Sequence, residues 1–171
     1  LKGCLFASKH QSMFETIYFN ELFYNPAYIL KKELLSIPLF GTYLKKLGMI
    51  AIDRSQGIQS LRYVNEQTAE YVEYRPVIIF PEGTRTHDGS IQKAKSGIGF
   101  ILEMANVPIV PAKITGSYKI LPRGKIMPKL GEKLTVRYGV PFLIEKSDKK
   151  LERKVRYSKM ADQVMSKIND L

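Results

Sequence analysis

Cysteine is nearly absent from this chain: Cys4 is the one example in 171 residues. A disulfide framework within the chain is therefore excluded, and a reducing compartment fits. Histidine is almost as scarce. His10 and His87, with one cysteine, are too few for a zinc site built from His and Cys. No run of eighteen apolar residues occurs, so this stretch holds no transmembrane helix, and no signal-peptide pattern is visible. An initiator Met is missing too: Leu1 stands directly before Gly3-Cys4-Leu5-Phe6-Ala7, which already reads as a strand. The expectation is a piece of a longer protein whose upstream segment, any membrane anchor included, lies outside the sequence. Acid is in short supply, with 16 Asp and Glu against 27 Lys and Arg, so the net charge is 27 − 16 = +11. Such a surplus suits a polyanionic partner: nucleic acid, an anionic membrane face or a phosphorylated substrate.

What is present is enough for a sizeable core. At 44% apolar and 25% charged, the composition rules out wholesale disorder. Residues 1–171 are expected to form a single domain. Short apolar, β-rich runs alternate with amphipathic stretches, the pattern of an α/β fold. Strands are predicted at 3–7, 28–30, 49–52, 77–80, 107–111 and 133–140. Helices are predicted at 12–24, 36–47, 61–72, 97–104 and 151–168. Val77-Ile78-Ile79-Phe80 is apolar throughout, which predicts burial on both faces. Pro108 and Pro111 predict an edge position or a strand end for 107–111. Residues 113–137 hold seven Lys or Arg and one acid, Glu132, interleaved with Ile120, Leu121, Ile126, Met127 and Leu130. Basic heads with apolar neighbours suit an anionic membrane surface; a solvated loop is the alternative.

Four segments carry residues that can do chemistry. In Lys9-His10-Gln11-Ser12-Met13-Phe14-Glu15, a histidine precedes a carboxylate by five positions. A carboxylate can fix an imidazole tautomer while the other ring nitrogen takes a proton from a hydroxyl. Five positions in an ideal helix turn through about 140°, so the pair meets only if His10 sits in the turn before the helix. Ser12 is a candidate N-cap for that arrangement. A lone histidine at a helix start can equally be structural. The second segment, Phe80-Pro81-Glu82-Gly83-Thr84-Arg85-Thr86, follows the buried strand, and ligands of α/β sheets sit at the carboxyl ends of strands. Gly83 permits close backbone approach, Thr84 offers a hydroxyl, and Arg85 can grip a phosphate bidentately. The alternative is a tight turn with solvated charges. The third segment, 48–54, ends in Asp53-Arg54, an anion contact or an ion pair stitching loops. In the fourth, Lys95-Ser96-Gly97-Ile98-Gly99-Phe100, a basic residue enters a helix whose N-terminus can bind an anion, or whose glycines only allow close packing.

In this order and spacing the segments resemble the lysophosphatidic acid acyltransferase family, the glycerolipid acyltransferases. The family's blocks are His-x4-Asp, a Gly-(x)-Ile-Asp-Arg strand end, Phe-Pro-Glu-Gly-Thr-Arg-Ser and a Val-Pro-(x)-Val-Pro segment. This chain shows His10…Glu15, Gly48…Asp53-Arg54, Phe80 through Thr86, and Val107-Pro108-Ile109-Val110-Pro111. The resemblance spans about residues 5–115, and the third block is the specific one. Three positions depart from it: Lys9 where Asn is common, Glu15 where Asp is usual, and Thr86 for Ser. Glu keeps the carboxylate and adds one methylene, which looks like a bacterial branch.

The resemblance implies a mixed, mostly parallel sheet flanked by helices. It implies acyl transfer from acyl-CoA or acyl-carrier protein to the sn-2 hydroxyl of 1-acylglycerol 3-phosphate, giving phosphatidic acid, at the cytoplasmic face of an anionic membrane. His10 is then the base and Glu15 its holder. Glu82, Gly83, Thr84 and Arg85 meet the acceptor's phosphate, with Arg54, Lys31 and Lys95 beside them. No metal or tightly bound cofactor is implied; the acyl thioester is a co-substrate. Other lysolipid acceptors, such as a lyso-ornithine lipid or a lysophospholipid, remain as alternatives. So does a non-catalytic basic binding domain. Nucleic acid is disfavoured, because the chain has neither a basic recognition helix nor an aromatic RNA-binding strand.

Overall fold

Parallel strands need crossover connections, and the alternation of apolar runs with amphipathic helices supplies them. The computed structural model describes residues 3–90, 92–125, 127–145 and 150–171. Its strands are β1 (Leu5–Ser8), β2 (Ala27–Lys31), β3 (Ile50–Ile52), β4 (Val77–Ile79), β5 (Ile109–Thr115) and β6 (Thr135–Tyr138). Its helices are α1 (Phe14–Leu22), α2 (Phe40–Lys46), α3 (Gly57–Val72), α4 (Ser96–Ala105), α5 (Ser117–Ile120) and α6 (Arg153–Asn169). The sheet runs β3-β2-β4-β1-β5-β6. Every pairing is parallel except that of β5 with β6. The expected mixed, mostly parallel sheet flanked by helices is thus what the chain forms.

Strand parity divides the core. Leu5 and Ala7 of β1, with Val77 and Ile79 of β4, face one cluster, which α3, α4 and α6 cover with Val64, Ile101 and Val164. Phe6, Ile78 and Phe80 face the other, closed by Phe19 and Phe23 from α1 and the residue after it. The apolar run at 77–80 is therefore buried on both faces, as its composition requires. The glycines of α4 matter for packing at one place. A Cβ on Gly99 would lie 2.0 Å from the Tyr157 carbonyl oxygen, so only glycine lets α4 and α6 approach this closely.

Three expectations change. Of the two positions expected for 107–111, the edge is excluded, since β5 lies between β1 and β6, and the strand end holds for Pro108, which stands just before Ile109. Proline is tolerated because β6 pairs only with Ala112–Thr115; alongside Pro111 stands Gly139, where a Cβ would lie 2.7 Å from the proline ring and whose N–H reaches the Pro111 carbonyl oxygen at 2.9 Å. A single helix over 36–47 is replaced by a 3-10 turn at Lys32–Ser36 and then α2, with Leu39 between them at φ 62°. Within 113–137, Ile120 and Leu121 are buried, while Met127 and Leu130 are exposed, and Ile126 lies outside the described residues. That stretch is not one face: Lys113 and Arg137 turn to the end of α6, bonding the carbonyls of Asn169 and Leu171.

Among the described residues no helix is long and apolar enough to cross a membrane.

Candidate active site

Strands β1 and β4 are neighbours in register, Ala7 opposite Ile79. Their connections leave in opposite directions, toward β2 and toward β5, so a crevice opens at their carboxyl ends. The His10 segment and the 80–86 segment are the two loops that leave those ends, which is why residues 70 positions apart meet.

His10 is held on every side. Its backbone N–H donates to Glu82 Oε1 at 2.8 Å, and its carbonyl accepts from the Thr86 N–H at 3.1 Å. Its ring stacks on Phe80 with centroids 3.9 Å apart and planes 15° from parallel. Nδ1 lies 3.1 Å from Glu15 Oε2. The geometric condition set by the spacing is met: His10 precedes α1, and Glu15 sits in its first turn. The N-cap position falls on Met13 rather than on Ser12, but Ser12 Oγ, one residue ahead of it, still accepts the Phe14 N–H at 3.0 Å and so satisfies the first amide of the helix. With Nδ1 facing Glu15, Nε2 is the ring nitrogen left for chemistry.

Glu15 is 0% exposed, and both of its oxygens are occupied. Oε2 also takes the Ser12 N–H at 2.8 Å, and Oε1 takes a short hydrogen bond from the Ser117 hydroxyl. Ser117 is a residue that sequence reasoning missed. It lies 102 positions from Glu15, and no spacing pattern links them.

Glu82, grouped above with the phosphate contacts, has no oxygen free to repel or meet an anion. Oε1 holds the His10 amide and Oε2 the Gln92 amide at 3.0 Å, and the side chain is buried. Burial pushes its carboxyl above the usual range, opposed by those two amide bonds. Its place is that of a strut between the two loops. Lys9 is buried close by; burial, then repulsion from Lys113, lowers its ammonium below the usual lysine range, while Glu82 acts the other way.

A cleft of about 830 Å³ opens beside His10. Its walls are apolar, with Ile17 of α1, Ile29 of β2, Tyr43 of α2 and Leu61 of α3 among them. Gly83, Thr84, Arg85, Arg54, Lys31 and Lys95 all line it, so the structure brings these six expected residues to one cavity with His10. Arg54 Nη2 donates to the Gly83 carbonyl at 2.9 Å. Gly83 adopts φ +66°, and a Cβ there would lie 2.8 Å from that guanidinium, so the position suits glycine twice over. Asp53 pairs with Lys32 at 2.9 Å rather than with Arg54. Its hydrogen bonds with Ser55 and Lys32 hold its carboxyl down at about 2. Lys95 precedes α4, and its N–H bonds the Pro81 carbonyl. Arg123 is a further cation of the lining; its Nη1 bonds the Arg85 carbonyl at 3.1 Å. Its signal was present in the basic stretch 113–137 but could not be told from its neighbours. A histidine–carboxylate pair, a ring of cations and an apolar cleft together suit base-catalysed chemistry on an amphipathic anion.

The family model described as Acyltransferase matches residues 1–115. A 1-acyl-sn-glycerol-3-phosphate acyltransferase of Pseudomonas aeruginosa is 40% identical over 119 residues, covering 68% of this chain and 46% of that protein. One of Helicobacter pylori is 38% identical over 122 residues, covering 68% of this chain and 50% of that protein. The chain thus spans about half the length of these relatives. Among solved structures, the 1-acyl-sn-glycerophosphate (LPA) acyltransferase of Thermotoga maritima matches with a TM-score of 0.67 at 24% identity. That match covers 96% of this chain and 66% of the other, and it supports the fold.

Proposed function

This chain belongs to the acyltransferase family, and from that premise we propose that it transfers a fatty acyl group from an acyl thioester to the sn-2 hydroxyl of 1-acylglycerol 3-phosphate. The observation that carries the reading is the convergence of His10, paired with buried Glu15, and a set of cations on one apolar cleft. The relatives' names supply the acceptor: the Pseudomonas aeruginosa and Helicobacter pylori proteins are both 1-acyl-sn-glycerol-3-phosphate acyltransferases. The acceptor's hydroxyl gives its proton to His10 Nε2 as its oxygen adds to the thioester carbonyl. The tetrahedral intermediate collapses, the C–S bond breaks, and the imidazolium returns the proton to the departing thiolate. Glu15 stabilises the imidazolium between those events. No protein nucleophile is needed, because the acceptor's oxygen attacks directly. Acyl-CoA and acyl-carrier protein both fit as donor, with no metal or bound cofactor in the scheme. A panel of lysolipid acceptors against the two donors, read by product mass, tests the reading. Phosphatidic acid as the main product is expected; a different acylated lysolipid, or none, overturns it.

Arg85 is the first anchor for the phosphate, with Arg54, Lys31, Lys95 and Arg123 around it. A charge-assisted bidentate pair is worth about 1.5–3 kcal/mol. Arg85→Ala should therefore raise KM for 1-acylglycerol 3-phosphate by about ten- to a hundredfold and move the donor's KM much less. Arg85→Lys should recover only part, since a point charge cannot reproduce the fork. Equal losses for both substrates with a lower Tm would make Arg85 a prop for its turn instead.

The lipid is drawn from a membrane whose anionic surface meets the ledge beside the cleft. Leu39 is 88% exposed and strained at φ 62°, and Phe40 and Tyr43, which line the cleft, are half exposed. Lys45 and Lys46 follow on α2. An exposed leucine on strained backbone gains nothing from folding, whereas apolar tips with basic neighbours suit an anionic leaflet. The cytoplasmic leaflet, whose surface potential is negative, is the face proposed for this ledge. Leu39→Gly, which a turn at φ 62° and ψ −54° admits, should lower binding to phosphatidylglycerol vesicles roughly tenfold, about the worth of a partly buried leucine. Unchanged binding would remove the ledge from the interface.

A further inference from the structure

We infer that Ser117 is a positioning residue for the His10–Glu15 pair, a role that rests on the acyl-transfer reading above. The terminal torsion of a glutamate is broad and roughly two-fold, so its carboxylate pivots freely unless both oxygens are held. The donors on the His10 side, the Ser12 N–H and the imidazole, both address Oε2. They leave the pivot open. Ser117 Oγ closes it by donating to Oε1 from the opposite side.

The local fold is arranged to bring that hydroxyl in. Gly116 takes φ +97°, and a Cβ there would lie 2.1 Å from the Lys133 carbonyl oxygen, so the turn that swings Ser117 inward needs glycine. At the other end of α5, the Leu121 carbonyl accepts the Ser12 hydroxyl at 2.6 Å. The short helix therefore clamps the catalytic turn at two points, one on Ser12 and one on Glu15. Ser117 is 0% exposed and does not line the cleft, so it reaches the reaction only through Glu15. The longer glutamate, in place of the family's usual aspartate, has one more torsion to fix, and a second-side donor is the means of fixing it.

The test uses the full chain with 1-acylglycerol 3-phosphate and an acyl thioester, in four variants: Ser117→Ala, Ser117→Thr, Glu15→Gln and the Ser117→Ala/Glu15→Gln pair. A hydrogen bond to a charged group that is lost should lower kcat roughly tenfold, with KM for both substrates unchanged. Ser117→Thr, which keeps the hydroxyl, should restore most of the rate. In the Glu15→Gln background the Ser117→Ala change should cost less than twofold, because the carboxylate it serves is gone. A loss of the same size in both backgrounds, or no loss in either, overturns the inference. Should Ser117→Ala not fold, Ser117→Cys, isosteric with a weak donor, carries the same expectation. A second readout does not depend on turnover: a His10 Nδ1–H proton resonance is expected in the parent, from the bond to Glu15, and should broaden or vanish in Ser117→Ala. An unchanged resonance also overturns the inference. A parent protein that forms no product, or a His10→Ala variant as active as the parent, would instead refute the acyl-transfer reading and leave the resonance to decide the role of Ser117.

Discussion

His10→Ala should lower turnover by about two to four orders of magnitude, the usual contribution of a general base, with the fold intact. The expectation of an intact fold comes from how the residue is held. Its N–H to Glu82 and its carbonyl from Thr86 are backbone bonds that alanine retains. What is lost is the imidazole's stacking on Phe80, worth about 0.5–1.5 kcal/mol, and the bond to Glu15. Glu15 keeps the Ser12 amide and the Ser117 hydroxyl, so no bare carboxylate is left in the core. KM for the acceptor should change little, because the cations proposed to hold its phosphate are untouched. Steady-state kinetics alongside a melting curve decides the matter. A folded variant turning over within about threefold of the parent would mean that His10 is not the base.

Much of this is legible in the sequence, and for identifiable reasons. Val77-Ile78-Ile79 announces itself as a central strand because burial on both faces leaves no polar alternation. His10 and Glu15 could be paired because their separation is local, and the turn that unites them is written in Ser12. Cations near the cleft were visible as residue types in blocks. Long-range geometry was not visible. The hydroxyl on Glu15 comes from α5, a four-residue helix too short to show a period. Arg123 was hidden among seven basic residues, of which only the fold says which ones turn to the cleft. Glu82 was misplaced with the phosphate contacts because the block is compact and polar. Only in the structure does its side chain turn inward to two amides. The prolines suggest an edge or a strand end; Pro108 does stand at the strand's start, but the interior place of β5 is not visible in the sequence, because Gly139, which leaves room for Pro111, lies 28 positions downstream.

Glu15→Gln should cut kcat by about a hundredfold or more while leaving KM for the acceptor nearly unchanged. The amide keeps the size but loses the charge that stabilises the imidazolium, and its NH₂ would face the Ser12 N–H, the Ser117 hydroxyl or the ring, all of them donors toward the native carboxylate. Turned toward the imidazole or the Ser12 N–H the NH₂ loses a contact, but turned toward Ser117 it keeps all three, because that hydroxyl can rotate and accept, so the loss expected is that of the charge. Glu15→Asp separates charge from reach. It restores the family's usual residue and keeps the negative charge, but the carboxylate is drawn back by one methylene toward the α1 backbone. Three donors are arranged around the longer side chain: the imidazole of His10, the N–H of Ser12 and the hydroxyl of Ser117. A shorter acid cannot meet all three without moving α5, which is tied to Ser12 through the Leu121 carbonyl. The expected loss for Glu15→Asp is therefore about tenfold in kcat, intermediate between parent and Glu15→Gln, with a modestly lower Tm. Full activity in Glu15→Asp would show that the charge alone matters and that the reach of the glutamate is incidental.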